Sequence, residues 1–301
     1  MIGTDLYNSL FSIGRKLLLL LLCSSAISQK SFSQTLNYNQ LDQFFNNRYT
    51  ISPVATDTSY QYNIKADNKT QTGLFAGVSK IYFDGDIKIK KNGDNGFHFL
   101  GAQVSVNKEG SFIKRNRVYG RYGIYQKLTS STALSAGVSI GAINYMFQSS
   151  QGGSGGSDIT PDASIGLSLV TKKFQFGISS QQLFQPKIKP IDQTVVLHRF
   201  YNFNASYLFS ITNDFELEIN GLLQLLNSET KSLFFAPLLR IKDLFKLGGN
   251  YNHNQSIAFI TGIEKFDFND YKLSIFASYK IPTNDISVPD NAIELFLSIQ
   301  K

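Results

Sequence analysis

Apolar and polar residues alternate one by one along most of this chain from about Thr58 onwards. In the segment 134–142 every second residue is apolar: Leu134, Ala136, Val138, Ile140 and Ala142. Ser and Gly fill the positions between them. Because neighbouring side chains of a β-strand point to opposite faces, this period of two predicts strands with one apolar and one polar face. The same pattern recurs in segments 203–211, 215–220 and 273–281.

Short polar stretches separate these segments and are typical of the turns between antiparallel strands. Examples are "NGDNG" (92–96), "TNDF" (212–215) and "FNDY" (268–271). Counting the segments gives roughly 13 to 15 strands. Only "YNQLDQFFNN" (38–47) has an arguable helical period. The chain is therefore expected to be all-β.

Two architectures fit an exported all-β chain, a soluble sandwich and a membrane barrel. Strands of about 9–11 residues are long enough to span a bilayer. Short turns that alternate with longer loops are typical of barrels, and a spanning sheet must close because lipid cannot satisfy a free edge. The 25 Phe and 15 Tyr can supply interfacial aromatic girdles. We predict a closed antiparallel transmembrane β-barrel of about 14 strands over residues 58–301.

The N-terminus is typical of an export signal. Arg15 and Lys16 precede an apolar run that is too short for a membrane-spanning helix, which needs ~20 residues. We predict a signal peptide over residues 1–33, with cleavage between Ser33 and Gln34. The alternative is a lipoprotein anchored at Cys23, the only cysteine of the chain. Residues 34–57 would then form an N-terminal segment on the periplasmic side, and the protein would lie in the bacterial outer membrane.

Charged residues fall on the polar faces of several predicted strands. A Lys or Arg on the lipid face at mid-depth costs about 2–4 kcal/mol, so these side chains are expected to face the lumen. The candidate lumen-facing charges are Arg121, Glu216, Glu218, Arg240, Lys246, Lys280 and Glu294. Two interpretations remain open, a structural set of ion pairs and a path for a substrate.

Signals for catalysis are sparse. Gly137–Gly141 matches G-x-S-x-G, but a nucleophile elbow needs a strand-turn-helix and Ser139 sits inside continuous alternation. The three histidines lack metal-ligand spacing, so neither a metal nor a cofactor is predicted. The net charge is +7, yet no run of Lys or Arg indicates a nucleic-acid partner. The chain is therefore not expected to be an enzyme.

Two long connections are expected between the strands, at 148–160 and 184–196. The first is rich in Gly and Ser and is expected to be a tolerant tip. The second carries two prolines that limit its freedom and two lysines. Since recognition concentrates in loops on a rigid scaffold, the candidate partner loop is the one with Pro186, Lys187, Lys189 and Pro190.

Four stretches resemble the PorP/SprF family of outer-membrane proteins, which is associated with type IX secretion and gliding motility in Bacteroidota. They are "NQLDQFFNNRYTISPVATDTSYQY" (39–62), "PDASIGLSLVTKKFQFGISSQQLFQP" (161–186), "LHRFYNFNASYLFSITNDFELEIN" (197–220) and "NAIELFLSIQK" (291–301). The resemblance covers nearly the whole mature chain. It implies a non-enzymatic barrel that helps to deliver or retain a secreted surface protein, such as an adhesin.

The partners implied by this resemblance are the secreted protein, other components of the secretion system and membrane lipids. Two other functions remain open from the residues alone. One is an outer-membrane porin or hydrophobic-solute transporter with a similar barrel. The other is an outer-membrane lipid hydrolase that uses Ser139.

Overall fold

The computed structural model describes residues 41–73, 76–91, 95–149, 155–191, 194–226, 231–253, 255–283 and 291–301. One 3-10 helix, Arg48–Thr50, precedes the strands. The strands are β1 (Tyr62–Gln71), β2 (Ser79–Lys91), β3 (Gly96–Glu109), β4 (Ile113–Lys127), β5 (Thr132–Phe147), β6 (Gly156–Thr171), β7 (Phe174–Gln181), β8 (Lys187–Ile188), β9 (Val195–Val196), β10 (Phe200–Ser210), β11 (Phe215–Leu225), β12 (Lys231–Ile241), β13 (Phe245–Asn252), β14 (Ser256–Phe268), β15 (Tyr271–Pro282) and β16 (Ala292–Gln300). The predicted signal peptide, its cleavage site at Ser33 and Gln34, and Cys23 lie outside the described residues.

Fourteen of these strands form a closed antiparallel barrel, as predicted. Each barrel strand pairs with the next along the chain, and β7 pairs with β10. The first and last strands close the wall over nine residue pairs, from Asn63↔Gln300 to Gln71↔Ala292. The short β8 and β9 pair only with each other. Closure leaves no long free edge, which is the condition for a sheet that spans lipid.

The alternation of the sequence becomes an inner and an outer face of the wall. β16 shows this without a break, because every second residue from Ala292 to Gln300 is buried and the residues between them are exposed. Its exposed residues are Ile293, Leu295, Leu297 and Ile299. An aliphatic face turned outwards is unfavourable in water and favourable in lipid. The outer face of the barrel is therefore the membrane-facing surface.

The two ends of the barrel differ in the length of their connections. One end carries the connections 92–95, 128–131, 172–173, 211–214, 242–244 and 269–270, and we call it the short-turn end. The other carries 72–78, 110–112, 148–155, 182–199, 226–230, 253–255 and 283–291, and we call it the long-loop end. β1 begins and β16 finishes at the short-turn end.

The structure differs from the sequence prediction at both long connections. β6 begins at Gly156, so part of the predicted loop 148–160 is strand that pairs with β5. The predicted loop 184–196 contains β8 and β9. The residues described from 41 to 47 form a turn and no helix. Among the described residues, none of the helical segments has the length and hydrophobicity needed to cross a membrane.

Candidate functional site: a lumen filled by the N-terminal segment

The segment 41–57, which we call the plug, lies inside the barrel. We predicted an N-terminal segment at 34–57. Its described part is packed in the lumen and is enclosed by the barrel wall. Eleven of its residues are buried: Leu41, Asp42, Gln43, Phe44, Phe45, Asn47, Tyr49, Ile51, Ser52, Pro53 and Val54. The plug fills space that a porin leaves to water.

An apolar patch on the inner wall receives the aromatic part of the plug. Phe44, Phe45 and Ile51 form one buried cluster with residues of β11, β12, β14, β15 and β16. The wall residues are Leu222, Phe234, Ala236, Leu238, Ile260, Phe276 and Phe296. Burial of a side chain such as Phe or Ile contributes ~1.5–3 kcal/mol, so this cluster anchors the plug.

A charged clamp holds the plug near the long-loop end. Glu294, which is fully buried, accepts hydrogen bonds from the backbone amides of Asp42 and Gln43 at 2.7 and 2.8 Å. The ammonium group of Lys69 lies 2.7 Å from the Asp42 carboxylate and 3.9 Å from that of Glu294. Because each buried charge has an opposite charge or a hydrogen-bond donor beside it, the clamp offsets the cost of desolvation.

Side chains of β7 and β10 hold the backbone in the middle of the plug. The carbonyl of Ile51 accepts hydrogen bonds from Ser179 Oγ at 2.5 Å and Asn202 Nδ2 at 2.8 Å. The carbonyl of Thr50 accepts one from Gln181 Nε2 at 3.0 Å. The plug has no sheet partner here, so polar side chains of the wall satisfy its backbone groups.

Arg121 of β4 holds the last part of the plug against the opposite wall. Its guanidinium group donates to the carbonyl of Ala55 and lies 2.5 Å from the Asp86 carboxylate. It also stacks 3.8 Å from the ring centroid of Tyr49. Burial raises the pKa of Tyr49 to about 12, so this phenol stays neutral at physiological pH.

Five charged side chains of β11–β14 form an ion-pair network that the plug joins. Lys246 lies 2.8 Å from Glu218 and 3.1 Å from Glu264. Arg240 lies 3.0 Å from Glu216 and 3.3 Å from Glu264. The plug contributes one cation to this network, Arg48.

Arg48 is the residue that connects the plug to this network, at 3.8 Å from Glu218. It also donates to Gln175 of β7. The network borders a cavity of about 300 Å³ near the short-turn end. Lys65 and Gln300 also line this cavity. The network therefore helps to position the plug, because Glu218 contacts Arg48 and is itself held by Lys246.

The charges singled out from the sequence thus fall into three groups. Glu216, Glu218, Arg240 and Lys246 meet in one network. Arg121 and Glu294 hold different parts of the plug, while Lys280 is buried near the long-loop end. Sequence reasoning missed five partners: Asp42, Arg48, Lys69, Asp86 and Glu264. Lys69, Asp86 and Glu264 occupy polar-face positions in alternating strands, and this alternation could have identified them. Asp42 and Arg48 belong to the plug, whose sequence has no such periodicity.

The connection 182–199, which we call the cap, folds into the mouth at the long-loop end. Ile188 and Leu197 are fully buried. They pack on three residues of β4 and β5, namely Tyr119, Ile143 and Tyr145. The amide of Leu183 also donates to the carbonyl of Ala163 on β6 at 3.1 Å. The cap is therefore anchored by apolar contacts within the mouth.

The four candidate partner residues lie in this cap and point in two directions. Pro186 and Pro190 are buried, whereas Lys187 and Lys189 are exposed. The amide of Lys189 donates to the Asp158 carboxylate at 2.7 Å. The prolines thus belong to the packed side of the cap, and the lysines are available to a partner.

Ser139 lies in the middle of β5 with its side chain buried. Its Oγ is 2.5 Å from Ser164 Oγ on β6, directly opposite in the register. β5 continues to Phe147 without a turn. The strand-turn-helix geometry of a nucleophile elbow is absent at this serine, which acts as a hydrogen-bonding group between strands.

Solved structures similar in fold are outer-membrane barrels. The Ralstonia pickettii toluene transporter TbuX has 10% identity and a TM-score of 0.53, over 80% of this chain and 88% of the transporter chain. The Pseudomonas putida toluene transporter TodX has 10% identity and a TM-score of 0.51, over 83% and 92% of the two chains. No curated protein sequence matches. At this identity the likeness concerns the fold alone.

A family comparison identifies the chain more closely. Residues 33–299 match the model of the type IX secretion system membrane protein family PorP/SprF. The match covers the described part of the plug and every barrel strand except the last residue of β16. Together with the membrane barrel it locates the protein in the bacterial outer membrane. The chain belongs to the PorP/SprF family of type IX secretion system membrane proteins.

Proposed function

We propose that this protein is a non-enzymatic accessory barrel of type IX secretion that helps to deliver or retain a secreted surface protein, such as an adhesin. The observation that carries the proposal is the family match over residues 33–299. The filled lumen supports it over an open porin, since the plug and the cap occupy the space through which water and ions would pass. A role in gliding motility belongs to the same proposal.

Native co-purification tests the proposal. The full-length protein, tagged and extracted from outer membranes in mild detergent, should bring down a secreted protein and components of the secretion machine. Cells that lack the protein should release that secreted protein into the medium or retain it in the periplasm. A normal amount of every secreted protein on the surface of such cells would contradict the proposal.

The alternative function, a porin or hydrophobic-solute transporter, is tested separately. The purified barrel in planar bilayers should show little ion conductance, because the plug and cap occupy the lumen. Steady conductance by the wild-type protein alone would favour the porin. Uptake of an apolar solute by cells that depends on the protein would favour the transporter.

We further propose that the long-loop end faces the cell exterior and that the cap binds the secreted partner. Barrels of this kind place short turns in the periplasm and longer loops outside. The double variant Lys187→Glu and Lys189→Glu reverses the two exposed charges while leaving Pro186, Ile188 and Pro190 in place. It should weaken capture of the partner. The matched control is Lys172→Glu and Lys173→Glu at the short-turn end, which should capture the partner normally.

A further inference from the structure

A row of four interior-facing residues crosses the strands β1 to β4 near the long-loop end. Lys69 lies opposite Lys80, Lys80 opposite Asn107, and Asn107 opposite Arg115. Residues directly opposite one another in antiparallel strands have Cβ atoms about 4.5–5.5 Å apart. Three cations and one amide therefore occupy a short stretch of the inner wall.

The outer members of this row have partners. Lys69 is engaged by Asp42 and Glu294 in the plug clamp. Arg115 forms an ion pair with Glu109 and lies over the ring of Tyr145. Each of these two cations therefore has a carboxylate beside it.

The inner members of the row are different. Asn107 is fully buried, and neither its side-chain nitrogen nor its oxygen has a hydrogen-bond partner in the structure. Lys80 is half-buried and makes no ion pair or hydrogen bond with any described residue. Two neighbouring donors are thus directed into the lumen without an acceptor.

A third donor lies on the other side of the clamp. Lys280 of β15 is 8% exposed and likewise has no ion pair or hydrogen bond within the described chain. It stands two residues beyond Ser278, which is opposite Glu294. A buried ammonium or amide group without a partner is costly, so such groups are normally satisfied by protein, water or a ligand.

Two nearby carboxylates, those of Asp42 and Glu294, are engaged by the clamp. Asp42 and Glu294 already hold Lys69, and Glu294 also accepts two plug amides. Asp67 lies two residue pairs deeper, opposite Tyr82, and its carboxylate oxygens have no hydrogen-bond partner among the described residues. We propose that Lys80, Asn107 and Lys280 form a binding site for a single anionic group, a carboxylate or a phosphate, that enters from the long-loop end. Ammonium and amide N–H groups are the donors that such oxygens accept. This site is independent of the proposed secretion role.

Thermal unfolding of the full chain in detergent tests the site. Sodium phosphate and sodium acetate are compared with sodium chloride at equal ionic strength. At least one of the two anions should raise the unfolding midpoint of the wild type saturably, and should do so much less in Lys80→Met and Lys280→Met. The matched control is Lys108→Met, because Lys108 follows Asn107 on β3 and its exposed side chain faces outwards. An equal anion response in all four proteins would overturn the proposal.

Chemical modification of the wild type provides a second test that does not depend on the variants folding. Amine acetylation is followed residue by residue with mass spectrometry. An anion at ten times its Kd should slow modification of Lys80 and Lys280 by about tenfold. Lys172, in an exposed turn, should be modified at an unchanged rate. Absence of protection at both lumen lysines by either anion would refute the site.

Discussion

The carboxylate of Glu294 accepts a hydrogen bond from the backbone amide of Asp42 at 2.7 Å, across 252 residues of sequence. Glu294 belongs to the last strand of the barrel, and Asp42 precedes the first strand. One contact therefore ties the plug to the seam at which the wall closes.

Replacing Glu294 with Ala should loosen the plug while leaving the barrel closed. Two backbone amides and Lys69 then lose a buried acceptor, and such a loss costs ~1–3 kcal/mol. A cysteine introduced at Gln43 should react with a water-soluble maleimide about tenfold faster in the variant, since ~1.4 kcal/mol corresponds to that factor. Asp270→Ala, in an exposed turn, should leave the rate unchanged. Equal rates in both backgrounds would show that the clamp does not hold the plug.

Replacing Phe44 with Ala should destabilise the plug from its apolar side. Phe44 is buried, and its ring centroid lies 6.0 Å from that of Phe234. Phe→Ala substitutions in cores cost ~3–5 kcal/mol because they leave a cavity. In a protein that also carries Gln43→Cys, the introduced cysteine should become reactive to the maleimide at a markedly lower urea concentration than it does with Phe44 present. Phe268→Ala removes an exposed ring and is the control; a similar shift there would contradict the assignment.

Replacing Ser139 with Ala should preserve secretion. The side chain makes one short hydrogen bond to Ser164, so the expected loss of stability is ~1 kcal/mol. Protein abundance and the difference in gel mobility between boiled and unboiled samples should remain as in the wild type. Loss of surface delivery by a barrel that assembles normally would restore a chemical role to this serine.

An epitope tag inserted at Gly155 should be reached by antibody on intact cells. Gly155 directly precedes β6 at the long-loop end, which we propose to face the exterior. Secretion should continue, because the insertion lies outside the paired part of β6. A matched tag between Lys172 and Lys173 should be reached only after the outer membrane is permeabilised. The reverse pattern would invert the orientation and remove the cap from contact with a surface partner.

The wall was predictable from sequence because a period of two constrains every strand in the same way. Ile293 and Glu294 must face opposite sides of β16 wherever its ends lie. The start of β6 was not predictable in this way. Gly156, Ser157 and the residues around them have loop-like composition, yet pairing with the long β5 extends the strand. The intrinsic strand propensity of such stretches is weak, so pairing with the neighbouring strand determines where the strand begins.

The plug was not predictable because its burial depends on the cavity around it and not on its own pattern. Phe44 and Phe45 are adjacent, and both are buried because wall surrounds them on several sides. Arg48 lies beside Glu218 only in the folded barrel, since 170 residues separate the two in sequence. The sequence alone could predict which charged residues lie on the polar faces of the strands. Which of them pair with one another depends on the register of the strands in three dimensions.

The seam between β1 and β16 also bears on how the barrel assembles. Asp42 of the plug contacts Lys69 of β1 and Glu294 of β16, so the seated plug bridges the two strands that meet at the seam. Contacts between segments so far apart in sequence form late, since the intervening chain must first be ordered. The seated plug therefore favours closure of the wall, because it adds contacts to both strands of the seam. The plug acts as an internal template for the barrel. A chain without it would lack the plug contacts that link its last strand to its first.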